Sequence, residues 1–347
     1  VLVTGQASTE GTASGKVILF GEHAVVYGSP AIAAGLDRGA RAVVTRQPSG
    51  PSTLRLGDGT VVADASSASD LGRAFSALLE VAPAIPPVHV EARCDLPPGG
   101  GLGSSAALAV SIARAAEALA RSGEIRPEEG AAIEARVLAR AAAWERIFHG
   151  NPSGIDATAA AQGGIFRFTR AEGARPITPR HDLVLCVGST GHPSSTRTTV
   201  ELIASQHAKD PVLVKRSIDA ITSIVGNAVL AIEAGDMRAL GDLMNMNQLV
   251  LSGLFVSTSE LEELCALARS AGALGAKLTG GGGGGCVLAL VPPSFRSDGT
   301  RDEAREAESA ARILDAWRGA EGHYEGFCAR IGAGGRSETR GAEGGLS

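Results

Sequence analysis

Apolar positions in the first hundred residues come in short runs that glycine and proline keep interrupting. Residues 16–27 read Lys-Val-Ile-Leu-Phe-Gly-Glu-His-Ala-Val-Val-Tyr. Two β-rich stretches broken at Gly21, Glu22 and His23 predict a strand, a tight turn and a second strand. Residues 40–64 continue as short β-like pieces divided by Pro48, Gly50, Pro51 and Gly57, and the weak alternation of Val88-His89-Val90-Glu91-Ala92 adds another strand. The period then changes. Residues 104–121 are mostly Ala, Leu, Val and Ile at helical spacing, and a second helix fits residues 127–148. Pro127 sits in the first turn of that helix with Glu128 and Glu129 at its positive end, and Gly150-Asn151-Pro152 stops it. The run Leu183-Val184-Leu185-Cys186-Val187-Gly188 reads as a buried strand opening a second unit. Helical periodicity returns over 212–251 and 258–272, and residues 277–291 form a glycine loop leading into a strand.

This pattern predicts an α+β chain without internal repeats. A single core usually stops growing at about 250–300 residues, so 347 residues favour two lobes, divided here near residue 180. The expected units are 1–180 and 181–335, followed by a flexible polar, Gly-rich tail at 336–347. At 44% hydrophobic residues the chain can fill a sizeable core, but with 3% aromatics that core is built from Ala, Val, Leu and Ile. The scarcity of rings argues against a base-stacking surface. A net charge of −5 without basic runs argues against nucleic-acid or anionic-membrane partners. The five cysteines (Cys94, Cys186, Cys265, Cys286 and Cys328) are scattered and odd in number, which indicates reduced thiols rather than a disulfide framework or a zinc site. No 18-residue apolar stretch and no secretory pattern is present, so a cytoplasmic protein with no membrane partner is expected.

The chemistry concentrates in glycine. Pro97-Pro98-Gly99-Gly100-Gly101-Leu102-Gly103-Ser104-Ser105-Ala106-Ala107 precedes an Ala-rich helix. Glycines let backbone N–H groups converge, and the helix start adds unpaired donors and a positive dipole end, which together suit a polyphosphate. A plain serine-capped turn would not need the paired Pro, triple Gly, Leu-Gly and paired Ser in succession. Gly15-Lys16 does not make an ordinary P-loop, because Glu10 stands where the first glycine belongs and Val17 where Ser or Thr should follow. The 97–107 element, preceded by Pro97-Pro98, also lacks the Gly-x-Gly-x-x-Gly spacing of a dinucleotide fingerprint in a βαβ setting.

Three segments carry a family resemblance. Residues 14–28, Ser-Gly-Lys-Val-Ile-Leu-Phe-Gly-Glu-His-Ala-Val-Val-Tyr-Gly, are similar to the first motif of the galactokinase/homoserine kinase/mevalonate kinase/phosphomevalonate kinase (GHMP) superfamily. Residues 97–107 resemble its phosphate loop, and Lys277-Leu278-Thr279 followed by Gly280 to Gly285 and Cys286 resembles its third motif. They occur in family order between about residues 14 and 335. Trp144-Glu145-Arg146-Ile147-Phe148-His149-Gly150-Asn151-Pro152-Ser153-Gly154-Ile155-Asp156 points to the mevalonate kinase branch.

The resemblance implies a two-lobed GHMP kinase fold, with a mixed N-terminal lobe, a ferredoxin-like α/β C-terminal lobe and the site in the cleft between them. It implies ATP and mevalonate as substrates, Mg²⁺ as cofactor, and a 5-phosphorylated product on the way to isoprenoid precursors; a homodimer is compatible with it. Asp156 and Lys16 take the catalytic positions. Pro98, Gly99, Gly100, Gly101, Leu102, Gly103, Ser104, Ser105 and Ala106 cradle the phosphates, and Ser105 and Glu145 hold the metal. Lys16, Glu22, His23, Asp156, Thr196 and Ala333 face the acceptor. His149 and Asn151 read as turn-shaping residues. Two departures stand out. Ser14 replaces the usual proline, with no leading strand pattern over 5–13, and Ser194 stands where relatives often carry a basic residue. A phosphomevalonate, homoserine or sugar kinase of the same fold, or a catalytically silent ligand sensor, remain the alternatives.

Overall fold

In the computed structural model, residues 8–57, 61–121, 130–150, 153–194 and 196–332 are described. Strand β1 (Ser8–Phe20) begins well before the apolar run, in the segment where no strand pattern was visible. The reason is steric. Residues of β1 lie under a helix so close that a Cβ at Gly11 would meet the Ser111 carbonyl at 2.2 Å, so small residues stand where alternating large ones would signal a strand. The second half of β1 is buried on both faces. A one-turn helix (Ala24–Tyr27) follows, entered through His23 at φ 61°. Strand β2 (Ala31–Arg46) then runs antiparallel along β1, with a register shift between Ser14 and Lys16.

Strands β3 (Thr53–Leu56) and β4 (Val61–Asp64) form a hairpin. Helix α1 (Asp70–Glu80) is capped by Ser69, and β5 (Val88–Cys94) inserts between β3 and β2. Helix α2 (Ser104–Ala120) and helix α3 (Gly130–His149) come next; Pro127, Glu128 and Glu129 lie outside the described residues. Helix α4 (Ile155–Gln162) and the hairpin β6 (Ile165–Thr169)–β7 (Gly173–Ile177) complete this part. The first sheet has the order β4-β3-β5-β2-β6-β7 with β1 also on β2, and only β3 and β5 are parallel.

The second sheet is antiparallel throughout. It contains β8 (Leu183–Ser189), β9 (Gly275–Thr279), β10 (Cys286–Leu290) and β11 (Glu325–Ile331) in the order β11-β8-β10-β9. The intervening helices are α5 (Thr196–Lys209), α6 (Pro211–Ala234), α7 (Met237–Gly253), α8 (Ser259–Ser270) and α9 (Glu303–Arg318). Gly235, left-handed at φ 74°, and the cap Asp236 divide the 212–251 periodicity into α6 and α7. Helix α6 is long and apolar enough to cross a membrane by length and composition, although Lys215, Arg216 and Asp219 interrupt its apolar run. Its buried face, from Val214 to Ile232, packs against α7, β1 and β7. One hydrophobic core runs continuously through both sheets, so the two parts share an interior rather than meeting across a linker.

A buried polar network ties three helices behind the site. Arg140 on α3 is fully buried, and it donates to Glu117 on α2 at 2.7 Å and to the carbonyls of Leu78 (2.9 Å) and Pro83 beyond α1. A buried charge needs this degree of hydrogen bonding to be tolerated. The arrangement holds α3, and hence Glu145, at a fixed height against α2.

Candidate active site

The loop between β5 and α2 turns on three left-handed glycines, Gly99, Gly101 and Gly103 (φ 71–76°). Leu102 anchors it in the core. Gly103 is the N-cap of α2, so the first-turn N–H groups of that helix, which have no intrahelical partners, face the loop. Lys16 closes the loop from the other side. Its N–H donates to the Leu102 carbonyl at 2.8 Å, and its side chain crosses Gly103 so closely that a Cβ there would lie 2.7 Å from Lys16 Cγ.

Lys16 Nζ lies 3.2 Å from Asp156 Oδ1, with the lysine side chain 8% exposed and the aspartate 38%. Asp156 occupies the first turn of α4, behind the left-handed Gly154 at φ 83°. The carboxylate therefore receives both the lysine charge and the helix dipole, while one side of it remains open to an incoming molecule.

Ser105 and Glu145 come together from two helices. Ser105 Oγ donates to Glu145 Oε1 and accepts from Trp144 Nε1 at 3.1 Å. Glu145 is 4% exposed. Burial pushes its carboxyl above the ordinary value, and the Ser105 bond and His149, whose Nε2 is 3.7 Å from Oε2, offset that in part. A desolvated carboxylate beside a hydroxyl is a hard-oxygen pair. Among the described residues no group of three or more His, Cys, Asp or Glu converges. A cation here would thus take two protein oxygens and complete its shell with phosphate and water, which fits Mg²⁺.

The third glycine segment brings the second sheet against this loop. A Cβ at Gly282 would lie 2.2 Å from the Val256 carbonyl, and one at Gly284 would lie 2.9 Å from that of Pro193. Ser194 joins the pieces. Its N–H donates to the Gly99 carbonyl at 3.0 Å and its Oγ to the Gly282 carbonyl at 2.9 Å. The residue noted as a departure from the family pattern is therefore a bridge between two glycine loops. Thr279 makes a similar bridge, since its Oγ1 accepts from Ile18 N–H at 2.9 Å and donates to the Ile18 carbonyl at 3.0 Å. No polar periodicity marks either position in the sequence.

Glu22 requires a correction. It was expected to face an acceptor, yet its side chain and that of Lys277 are both 0% exposed and ion-paired. Asn247 Nδ2 donates to the other carboxylate oxygen at 3.4 Å. Both oxygens are engaged by side chains that follow in the chain, so the pair fixes the turn that carries His23. Burial pushes the Glu22 carboxyl up and the Lys277 amine down, each opposed by attraction to the other. His23 is buried, its Nε2 is 2.8 Å from the Gly281 carbonyl, and burial holds its pKa below the ordinary imidazole value. Ala333, Asn151 and the Thr196 side chain lie outside the described residues.

A cavity of about 590 Å³ opens where the phosphate-loop approach meets the second sheet. Asp95, Leu96 and Pro97 line one side, and Ser189, Thr190 and Tyr324 the other. That volume is within the usual range for a small-molecule site.

Comparison with known proteins gives a consistent result. The family model described as GHMP kinases N terminal domain matches residues 69–164, and GHMP kinases C terminal matches residues 228–321. The mevalonate kinase of Pyrococcus horikoshii is 36% identical over 312 residues, which cover 83% of this chain and 90% of that protein. The crystal structure of L. major mevalonate kinase in complex with R-mevalonate superposes with a TM-score of 0.77 at 30% identity, covering 95% of this chain and 98% of that one. The Methanococcus jannaschii mevalonate kinase shares the fold at a TM-score of 0.73 and 22% identity.

Proposed function

The chain belongs to the GHMP kinases, among the mevalonate kinases, and from that membership we propose that it transfers the γ-phosphoryl group of ATP to the primary hydroxyl of mevalonate. The observation that carries the reading is the joint placement of two pairs, Lys16 with Asp156 and Ser105 with Glu145, on either side of a glycine-lined helix start. Phosphoryl transfer asks little covalent chemistry of a protein; it asks for alignment and charge neutralisation.

Each residue then has a physical task. The left-handed loop glycines and the first turn of α2 present N–H donors to the phosphates. Lys16, held in place by Leu102 and Gly103, puts its cation between the γ-phosphate and the acceptor. Asp156 accepts the acceptor's hydroxyl proton as the new P–O bond forms and the bond to the β-phosphate breaks. Ser105 and Glu145 would hold Mg²⁺, which supplies charge neutralisation on the triphosphate. His23, whose Nε2 is held by the Gly281 carbonyl, offers its other ring nitrogen to the acceptor, and the cavity beside Pro97 receives the nucleoside.

The test is a panel of alcohols (mevalonate, phosphomevalonate, homoserine and galactose) in an ADP-release assay with and without Mg²⁺. Turnover confined to mevalonate and dependent on Mg²⁺ supports the reading. A faster rate with another alcohol reassigns the substrate, and no ADP release with any of them leaves a binding protein on this fold.

A further inference from the structure

We propose that Cys186 and Cys328 form a reactive thiol pair that closes a reversible disulfide when the folded protein meets a hydroperoxide. The two residues face each other directly in the antiparallel pairing of β8 with β11. Opposed residues in such a ladder have Cα atoms about 4.5 or 5.5 Å apart, and both spacings fall within the roughly 4.4–6.8 Å that disulfides span. Opposed residues also project to the same face of the sheet, here the face that α9 covers.

Their surroundings differ in the way such chemistry requires. Cys328 lies on the edge strand and is exposed, the only one of the five cysteines that is. Cys186 lies one strand inward, buried, with its sulfur 3.6 Å from the Ala310 carbonyl. The proximity of the two sulfurs holds the Cys328 thiol below the ordinary value and, together with burial, raises that of Cys186. Asp37, Glu306 and Arg330 also face Cys328, the two acids opposing that depression and the arginine aiding it. An accessible, acidified thiol beside a second thiol is the arrangement found in peroxide-sensitive sites. The remaining cysteines are placed otherwise. Cys286 is opposed by Ser189, and Cys265 is enclosed in α8.

The chemistry balances without further reagents. The Cys328 thiolate attacks the peroxide oxygen, the O–O bond breaks, and sulfenic acid and hydroxide form. The Cys186 sulfur then displaces hydroxide from the sulfenic sulfur, and its proton leaves with that hydroxide as water. Overall, two thiols and one hydrogen peroxide give one disulfide and two waters. Cys186 needs no bulk access, because its target forms next to it.

The experiment treats the intact folded protein with hydrogen peroxide, alkylates the remaining thiols, and maps the peptides by mass spectrometry. A Cys186–Cys328 cross-linked peptide that dithiothreitol releases, with Cys94 and Cys286 still alkylated, supports the proposal. Cys328→Ser should abolish the cross-link. Cys186→Ala should leave Cys328 as a sulfenic acid and raise its dimedone adduct several-fold over wild type. Three results would each overturn it: oxidation of wild-type Cys328 to stable sulfinic acid without the cross-link, a cross-link that forms only in urea, or equal dimedone labelling of wild type and Cys186→Ala. The peptide map of wild type decides the question even if a variant folds poorly.

Discussion

Replacing Lys277 with Met tests whether the turn carrying His23 is held by a buried ion pair. Lys277 and Glu22 are both fully enclosed, and Glu22 has Asn247 as its other side-chain partner. Removing the cation leaves a carboxylate in the interior with one long hydrogen bond, a change that typically costs about 3–5 kcal/mol. An exposed pair would cost about 0–1 kcal/mol, so the two cases separate cleanly. The pH dependence follows from the same geometry. Burial already raises the Glu22 pKa against the pull of Lys277; without Lys277 nothing of comparable size opposes it. A group with a raised folded-state pKa contributes stability that is present below its unfolded value and lost as pH rises through the folded one. Lys277→Met should therefore be most damaged at neutral pH and recover towards pH 5. The double variant Glu22→Gln/Lys277→Met removes both charges and should regain most of the loss, leaving a coupling of about 2–4 kcal/mol. The assay is urea unfolding of the four proteins of this cycle at pH 5 and pH 8. A Lys277→Met loss under about 1 kcal/mol, or one independent of pH, would refute the argument that this pair is buried and paired as described.

Other consequences follow from the same contacts. Asp156→Ala should fold normally and lose about 10²–10⁴ in turnover, the usual worth of a positioned acid–base group, read by ADP release alongside a thermal melt. Gly103→Ala places a side chain at φ 76° and 2.7 Å from Lys16 Cγ. It should cost about 1–2 kcal/mol in backbone strain and, by displacing the lysine, about 10²-fold in rate; an unchanged kcat would show that Lys16 is not held by that contact. The raised Glu145 pKa means that its carboxylate is protonated at a higher pH than an ordinary glutamate. Half-saturating Mg²⁺ should therefore increase as pH falls from 8 to 6, and a flat profile would count against a metal role for Glu145.

The strands and helices that carry glycine motifs were legible in the sequence, because positive-φ loops restrict composition strongly. The 97–105 loop and its helix show this, as does the break at Gly21 to His23, although the stretch after that break, Ala24–Tyr27, forms a one-turn helix rather than the expected second strand. Less legible were the elements built from small or polar residues. The first half of β1 lacks apolar alternation because α2 packs directly onto Gly11. Helices α1, α5 and α9 were passed over; α9 is dominated by Glu, Arg and Ala, and its apolar face is narrow. Within the site, motif wording brought out Lys16, Ser105, Glu145 and Asp156. It also drew Glu22 towards the acceptor, since a turn carboxylate next to a histidine looks solvent-facing until its partner 255 residues away is placed. Lys277, Asn247, Thr279 and Ser194 went unassigned for the same reason. Their partners are backbone carbonyls and buried charges that only the folded chain brings near.

The most direct measurement is the rate of ADP formation from ATP and mevalonate, followed across Mg²⁺ concentrations for wild type and Glu145→Gln. Saturable Mg²⁺ activation in wild type, with a half-saturation point at least tenfold higher in a folded Glu145→Gln variant, is the expected result. Indistinguishable Mg²⁺ curves for the two proteins would contradict the assembly of Ser105 and Glu145 around the nucleotide's metal.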